Sequence, residues 1–176
     1  RHSFPTRRSS DLVDELHFSN PHQVDGTGAV LDTVSTSPTY GHAIFSSTAA
    51  ASGNYVLYRM RVPFDLDTSV DLSASLIFRL NAADASTTQR YVVSMADVTN
   101  SASADNPTFS NSVNLDFSGD ASGASGDMET VAYTTLTSWK ASITAGHMLV
   151  IKLARDGTTS DTSTVSSSDI EFSVKY

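Results

Sequence analysis

The strongest constraint on this chain is the period of its apolar residues, which is two almost everywhere. Ile170, Phe172, Val174 and Tyr176 alternate with Glu171, Ser173 and Lys175, the pattern of a half-buried strand with one wet face. Val70, Leu72, Ala74, Leu76, Phe78 and Leu80 give a longer strand of the same kind. Val56, Tyr58, Met60 and Val62 give another, closed by Pro63 because proline cannot donate to a ladder. Tyr91, Val93 and Met95 form one side of a strand, and Val113, Leu115 and Phe117 one side of the next. Strands are also predicted at Thr130–Thr137 and His147–Ala154, and weaker ones at Leu16–Ser19, Ala29–Thr36 and His42–Ser46. The run Met148-Leu149-Val150-Ile151 is apolar on both faces, which predicts a central strand covered on each side.

Turn residues separate these runs: Asp25-Gly26, Ser52-Gly53-Asn54, Ser118-Gly119-Asp120 and Asp156-Gly157. About ten strands at short intervals, with no amphipathic helix pattern, predict an all-β, antiparallel, jelly-roll-like sandwich. The polar loops Asn100–Asn111 and Ser118–Asp127 are poor core formers, expected to sit together at one end or to protrude.

Residues 1–12 stand apart. His2 to Leu12 reads HSFPTRRSSDL, which is codon for codon the translation of a short-read sequencing adapter, and Arg1 is compatible with the same frame. This stretch is expected to be a library artefact, and artefacts belong outside fold reasoning. Residues 13–176 are then read as a single β-sandwich domain, with the natural N-terminus and any upstream signal or domain left open. Three of the 11 basic residues and one of the 19 acidic ones lie in the artefact, leaving 8 against 18 and a net charge of −10.

That acidic balance argues against a nucleic-acid partner, which needs Lys and Arg to displace counterions, and against anionic membrane surfaces. No apolar run approaches the roughly 18 residues of a membrane-spanning helix. Charged residues are only 17% of the chain and cysteine is absent, which leaves no disulfide framework and no thiolate metal site. The polar positions are filled by Ser, Thr, Asn and Asp, which compete with the helical backbone and favour strands and turns.

Catalytic patterns are missing. The histidines outside the artefact, His17, His22, His42 and His147, show no HxH or HExxH spacing, so no metal or cofactor is expected. There is no GxSxG elbow, no phosphate-binding loop and no nominated pair among Glu15, Glu129 and Glu171, so the chain is read as non-enzymatic. Asp65, Asp67 and Asp71 could supply oxygen ligands to calcium, but the turn glycine and bidentate glutamate of a calcium loop are lacking, and a solvated turn is favoured. Asp156, Asp161 and Asp169 are read as a polar hairpin loop. Trp139 and Tyr133 are the ligand-binding candidates, as sugar-stacking platforms, with Tyr40 and Tyr55 behind them. For Trp139, with Leu136 and Ile143 nearby, burial is favoured.

The C-terminal stretch ITAGHMLVIKLARDGTTSDTSTVSSSDIEFSVKY resembles the end of β-sandwich domains in phage virion and tail-fibre-like proteins. The shared marks are Ala145-Gly146, the strand Met148–Leu153, Arg155-Asp156-Gly157, Asp161-Thr162 and the closing Tyr176. YRMRVPFDLDTSVDLSASLIFRL is similar in the same way, and His147 departs from the pattern where Asp is common. The resemblance implies a virion structural protein (tail fibre, spike or capsid decoration), virion or extracellular in location and trimeric, with receptor-binding loops. The alternatives are a carbohydrate-binding module facing a cell-surface glycan and a bacterial surface adhesion domain.

Overall fold

The computed structural model describes residues 15–18, 23–24, 28–31, 36, 41–66, 69–84, 87–99, 107–119, 123–158 and 160–176. Among them the alternation resolves into strands only. Six make one sheet: β1 (Glu15–Phe18), β3 (Ala29–Leu31), β4 (Ala43–Phe45), β6 (Ser73–Leu80), β9 (Met128–Thr135) and β11 (Ser167–Lys175). Five make the other: β2 (Gln23–Val24), β5 (Tyr55–Arg61), β7 (Thr88–Val98), β8 (Ser110–Ser118) and β10 (Met148–Arg155). The order in the first sheet is β3-β4-β11-β6-β9, with β1 beside β4 on the same flank of β11; the order in the second is β2-β5-β10-β7-β8. Every pairing is antiparallel. The protein is a jelly-roll-like β-sandwich.

Apart from Val70 and Ile170, the latter displaced by the bulge in β11, the inward residues are those the alternation names. Phe45, Phe78 and Tyr91 meet in edge and tilted contacts 5.3–5.9 Å apart, and Tyr58 stacks on Phe172 at 5.5 Å. Such aromatic pairs add about 0.5–1.5 kcal/mol each beyond the area they bury. β10 is indeed central: Leu149, Ile151 and Leu153 enter the main core, while Val150 joins Leu57 and Val98 on the far face. Tyr55 and Phe109 pack over that second cluster, with the Lys152 ammonium 4.4 Å from the Tyr55 ring centre.

Three expectations need correction. Of the two placements expected for the polar loops, a shared end does not hold. They follow β7 and β8, and successive antiparallel strands put their connections at opposite ends; Gly123 accepts from Asp84 N at the β6–β7 end, whereas Pro107–Phe109 lead into β8 at the other. The long strand from Val70 begins at Ser73, leaving Val70 55% exposed. The Asp156–Asp161–Asp169 stretch is not simply a wet hairpin. Asp169 lies inside β11, at a bulge where the register shifts between Asp169 and Glu171, and is fully buried. The Asp161 side chain is 0% exposed too, because Arg155 turns inward to meet it.

Candidate functional site

One rim of the sandwich gathers the exposed chemistry. Met148 pairs with both Arg61 and Val98, so the turn entering β10 sits between the ends of β5 and β7. Register thereby brings together Arg61, Asp97 and His147. His147 Nδ1 and Asp97 Oδ1 are 2.7 Å apart, with the side chains 31% and 14% exposed. The β5–β6 and β9–β10 connections are clasped by two backbone bonds, Val62 N to His147 O and Gly146 N to Val62 O, each 2.9 Å.

Beyond that clasp the chain turns at Phe64-Asp65 and throws the Phe64 ring outward, where it is 73% exposed. Two neighbours hold it. The Arg61 guanidinium carbon lies 4.7 Å from the ring centre, and Arg61 Nε donates to Gly146 O at 3.2 Å. Gly146 has φ of +80°, and a Cβ there would come within 2.5 Å of Phe64 Cε1. Only glycine lets the ring lie this close to that backbone. The result is an aromatic face in water, held by the Arg61 guanidinium and the Gly146 backbone, on the same rim as the His147–Asp97 pair. Pro63 and Leu66, flanking the ring in sequence, line a hydrocarbon cleft between the sheets together with Met60, Ile143, Val174 and Tyr176.

The two aromatic candidates from sequence are not in this cluster. Trp139 is 0% exposed, and its Nε1 donates to Asn111 O at 2.7 Å. With Leu136 and Ile143 it plugs the core beneath the β9–β10 connection, so its indole offers no face to a ligand. Tyr133 is 40% exposed on the outer face of β9, but the Lys175 ammonium sits 3.5 Å from its ring centre, a cation–π contact that occupies one face. Tyr55 is packed under Lys152, and Tyr40 and His22 lie outside the described residues. Asp71 is bridged by Lys140 at 3.1 Å, Asp65 is exposed, and Asp67 lies outside the described residues. Among the described residues no three His, Asp or Glu groups converge as a metal site.

Phe64 itself was not singled out by sequence. The available signal was an aromatic just after a strand-ending proline.

The opposite end holds polar groups of a different character. Arg155 Nε and Nη2 reach the two Asp161 oxygens at 2.9 and 3.2 Å, and its Nη1 donates to Val165 O at 2.6 Å. Asp161 also accepts from Arg90 N and Ser163 N, so the buried pair is saturated. Tyr91 OH meets Gln89 and Ser167, and burial raises its pKa. Asp169 takes a short hydrogen bond from Tyr58 OH. Burial, followed by the nearby Glu171 charge, raises its pKa well above the usual carboxylate range. These groups are sealed from solvent and fitted to hold the fold. On the outer face of the first sheet His17, Glu171 and Ser173 interact within 3.1 Å. Both oxygens approach the same His17 nitrogen, Nδ1.

Fold and surface thus define an antiparallel β-sandwich domain with one wet aromatic rim. Neither a protein-family model nor a curated protein sequence matches the chain. Among solved structures, the CBM35 from Cellvibrio japonicus Abf62 is similar, at 10% identity and a TM-score of 0.43, with 92% of each chain covered. At that distance the likeness transfers no residue role to this protein.

Proposed function

We propose that this domain is a non-catalytic glycan-binding module that holds its ligand at the rim built by Phe64, Arg61, His147 and Asp97. The observation that carries the reading is the Phe64 ring, 73% exposed yet fixed against Gly146 and Arg61. Sugar rings present C–H faces that stack on aromatics, and their hydroxyls take directed bonds from charged and polar neighbours. A site of this kind needs an apolar platform with a few placed polar groups, and this rim supplies both. The platform is on a turn clasped by two backbone bonds, so little ordering entropy is lost on binding.

The test is a glycan panel read by calorimetry on the chain beginning at Val13, alongside Phe64→Ala and Tyr133→Ala. Binding weakened at least tenfold by the first change and untouched by the second supports the rim. Binding indifferent to Phe64 overturns it.

A second reading, a trimeric virion structural domain, draws on a different surface. Val30 and Leu31 on β3, an edge strand of the first sheet, are 49% and 46% exposed. An apolar sheet edge is a template for another chain. Light scattering on the same protein separates the two: a stable trimer supports assembly through β3, and a monomer removes that reading.

A further inference from the structure

We infer that the glycan held at the rim is anionic, and that Arg61 is the seat for its carboxylate or sulfate. This rests on the glycan reading above. Outside residues 1–12 the chain carries 18 acidic residues against 8 basic ones, so a cation here has carboxylates in excess to choose from. Arg90 grips Asp116 through Nε and Nη2, at 2.8 and 2.7 Å. Arg155 grips Asp161 through the same two nitrogens, at 2.9 and 3.2 Å. Lys140 meets Asp71 at 3.1 Å.

Arg61 is held differently. Its Nε donates to a backbone carbonyl, Gly146 O, at 3.2 Å, and its guanidinium carbon lies 4.7 Å from the centre of the Phe64 ring. Among the described residues no carboxylate pairs with it. Asp65, exposed and four residues on, does not. Asp97 stands two strands away in register and is held by His147 at 2.7 Å. The Nε edge of the fork is thus used within the protein, and the Nη1 and Nη2 donors have no acceptor among the described residues. The surroundings favour a negative visitor. β5 and β10 contain no Asp or Glu, and the charges they place on the outer face of the sheet, Arg59, Arg61 and Lys152, are all positive.

Chemistry selects the occupant. A guanidinium stays charged at every working pH and presents its donors in one plane. Two neighbouring N–H groups match two oxygens of a carboxylate or a sulfate, and such charge-assisted bonds are about twice as strong as neutral ones. A sugar hydroxyl offers one oxygen and no charge. The carbonyl and the ring fix this cation before any ligand arrives, so little side-chain freedom is lost on binding. Guanidinium and ring are in contact, closer than the span of one sugar residue, so a glycan at Phe64 is also at Arg61. Two sources supply the anion on a glycan: the carboxylate of a uronic acid and a sulfate ester.

The experiment uses matched pairs as probes in calorimetric or NMR titration: glucuronate against glucose, galacturonate against galactose, and glucose 6-sulfate against glucose. The anionic member of at least one pair is expected to bind about tenfold tighter or more, the scale of one hydrogen bond to a charged group. The first two pairs reveal the carboxylate source and the third the sulfate source. Arg61 also steadies Phe64, so the readout is the ratio within a pair rather than the affinity itself. Arg61→Gln should bring that ratio close to one. Arg79→Gln makes the same change of net charge at the opposite end of the sandwich and should leave the ratio intact. A preference that survives Arg61→Gln, or that Arg79→Gln erases equally, overturns the assignment to Arg61. Equal, Phe64-dependent affinity for both members of every pair overturns the anionic inference and leaves the glycan reading standing. Absence of binding by every probe at millimolar concentration, with the protein folded, overturns both.

Discussion

Where β4–β5, β6–β7, β8–β9 and β10–β11 connect, the core is closed by polar side chains without solvent contact. Arg155, Asp161, Gln89, Tyr91 and Ser167 bond to one another and to backbone carbonyls. Where β5–β6, β7–β8 and β9–β10 connect, it is closed by Trp139, Leu136, Val62 and Leu72, with Phe64 left outside. The first closure is directional and saturated, so it fixes geometry and has nothing left to offer a ligand. The second is non-directional beneath and polar only at its rim, which leaves donors and an aromatic face free to meet a partner. Burial of polarity marks the structural end of this sandwich, and exposure of apolarity marks the end proposed to bind.

The largest effects should come from breaking the sealed end. Arg155→Ala strands the Asp161 carboxylate in the core and is expected to cost about 3–5 kcal/mol in urea unfolding. Trp139→Ala, at the other end, should cost a similar ~3–5 kcal/mol through a cavity rather than a charge. Salt should therefore leave the second loss unchanged. If Arg155→Ala costs less than 1 kcal/mol, the contrast between the ends collapses.

Asp169 gives the comparison a pH axis. Its folded pKa is raised, so the unfolded chain releases this proton first. Stability should fall as pH climbs from the ordinary carboxylate range towards the raised value, and level off above it. Asp169→Asn removes the ionisation, so its unfolding midpoint should lose that part of the slope. An unchanged slope would show the proton is not held there.

Smaller effects sharpen the end proposed to bind. Gly146→Ala forces a left-handed residue to carry a Cβ against Phe64 and should cost about 1–2 kcal/mol, with glycan affinity falling alongside. Phe64→Ala should change stability by no more than ~0.5 kcal/mol while weakening binding at least tenfold, a split that only a ligand-facing residue shows. Lys140→Ala, which removes the exposed pair with Asp71, should cost under about 1 kcal/mol and less in high salt.

These residues also show what a sequence can and cannot disclose. β5, β7, β8, β10 and β11 were readable because alternation is a local signal, and β10 declared its central place by being apolar on both faces. Trp139 could be read as buried from Leu136 and Ile143. Arg155 and Asp161 could not, because the five residues between them, Asp, Gly, Thr, Thr and Ser, look solvated until the inward turn of Arg155 is known. Asp169 hid behind a bulge that reverses the facing of its strand. Phe64 was missed because Gly146, one of the two groups that hold it, is distant in the chain and near only through register.

The strands at the centre of both sheets, β10 and β11, are the last two of the eleven. β11 alone joins β1, β4 and β6, and its Glu171 meets His17 across 154 residues. During synthesis the pairs β2–β5, β3–β4, β6–β9 and β7–β8 can form, but each keeps an open edge and stays unjoined until these two leave the ribosome. Assembly becomes a late, concerted and slow event, with aggregation and chaperone capture as its competitors.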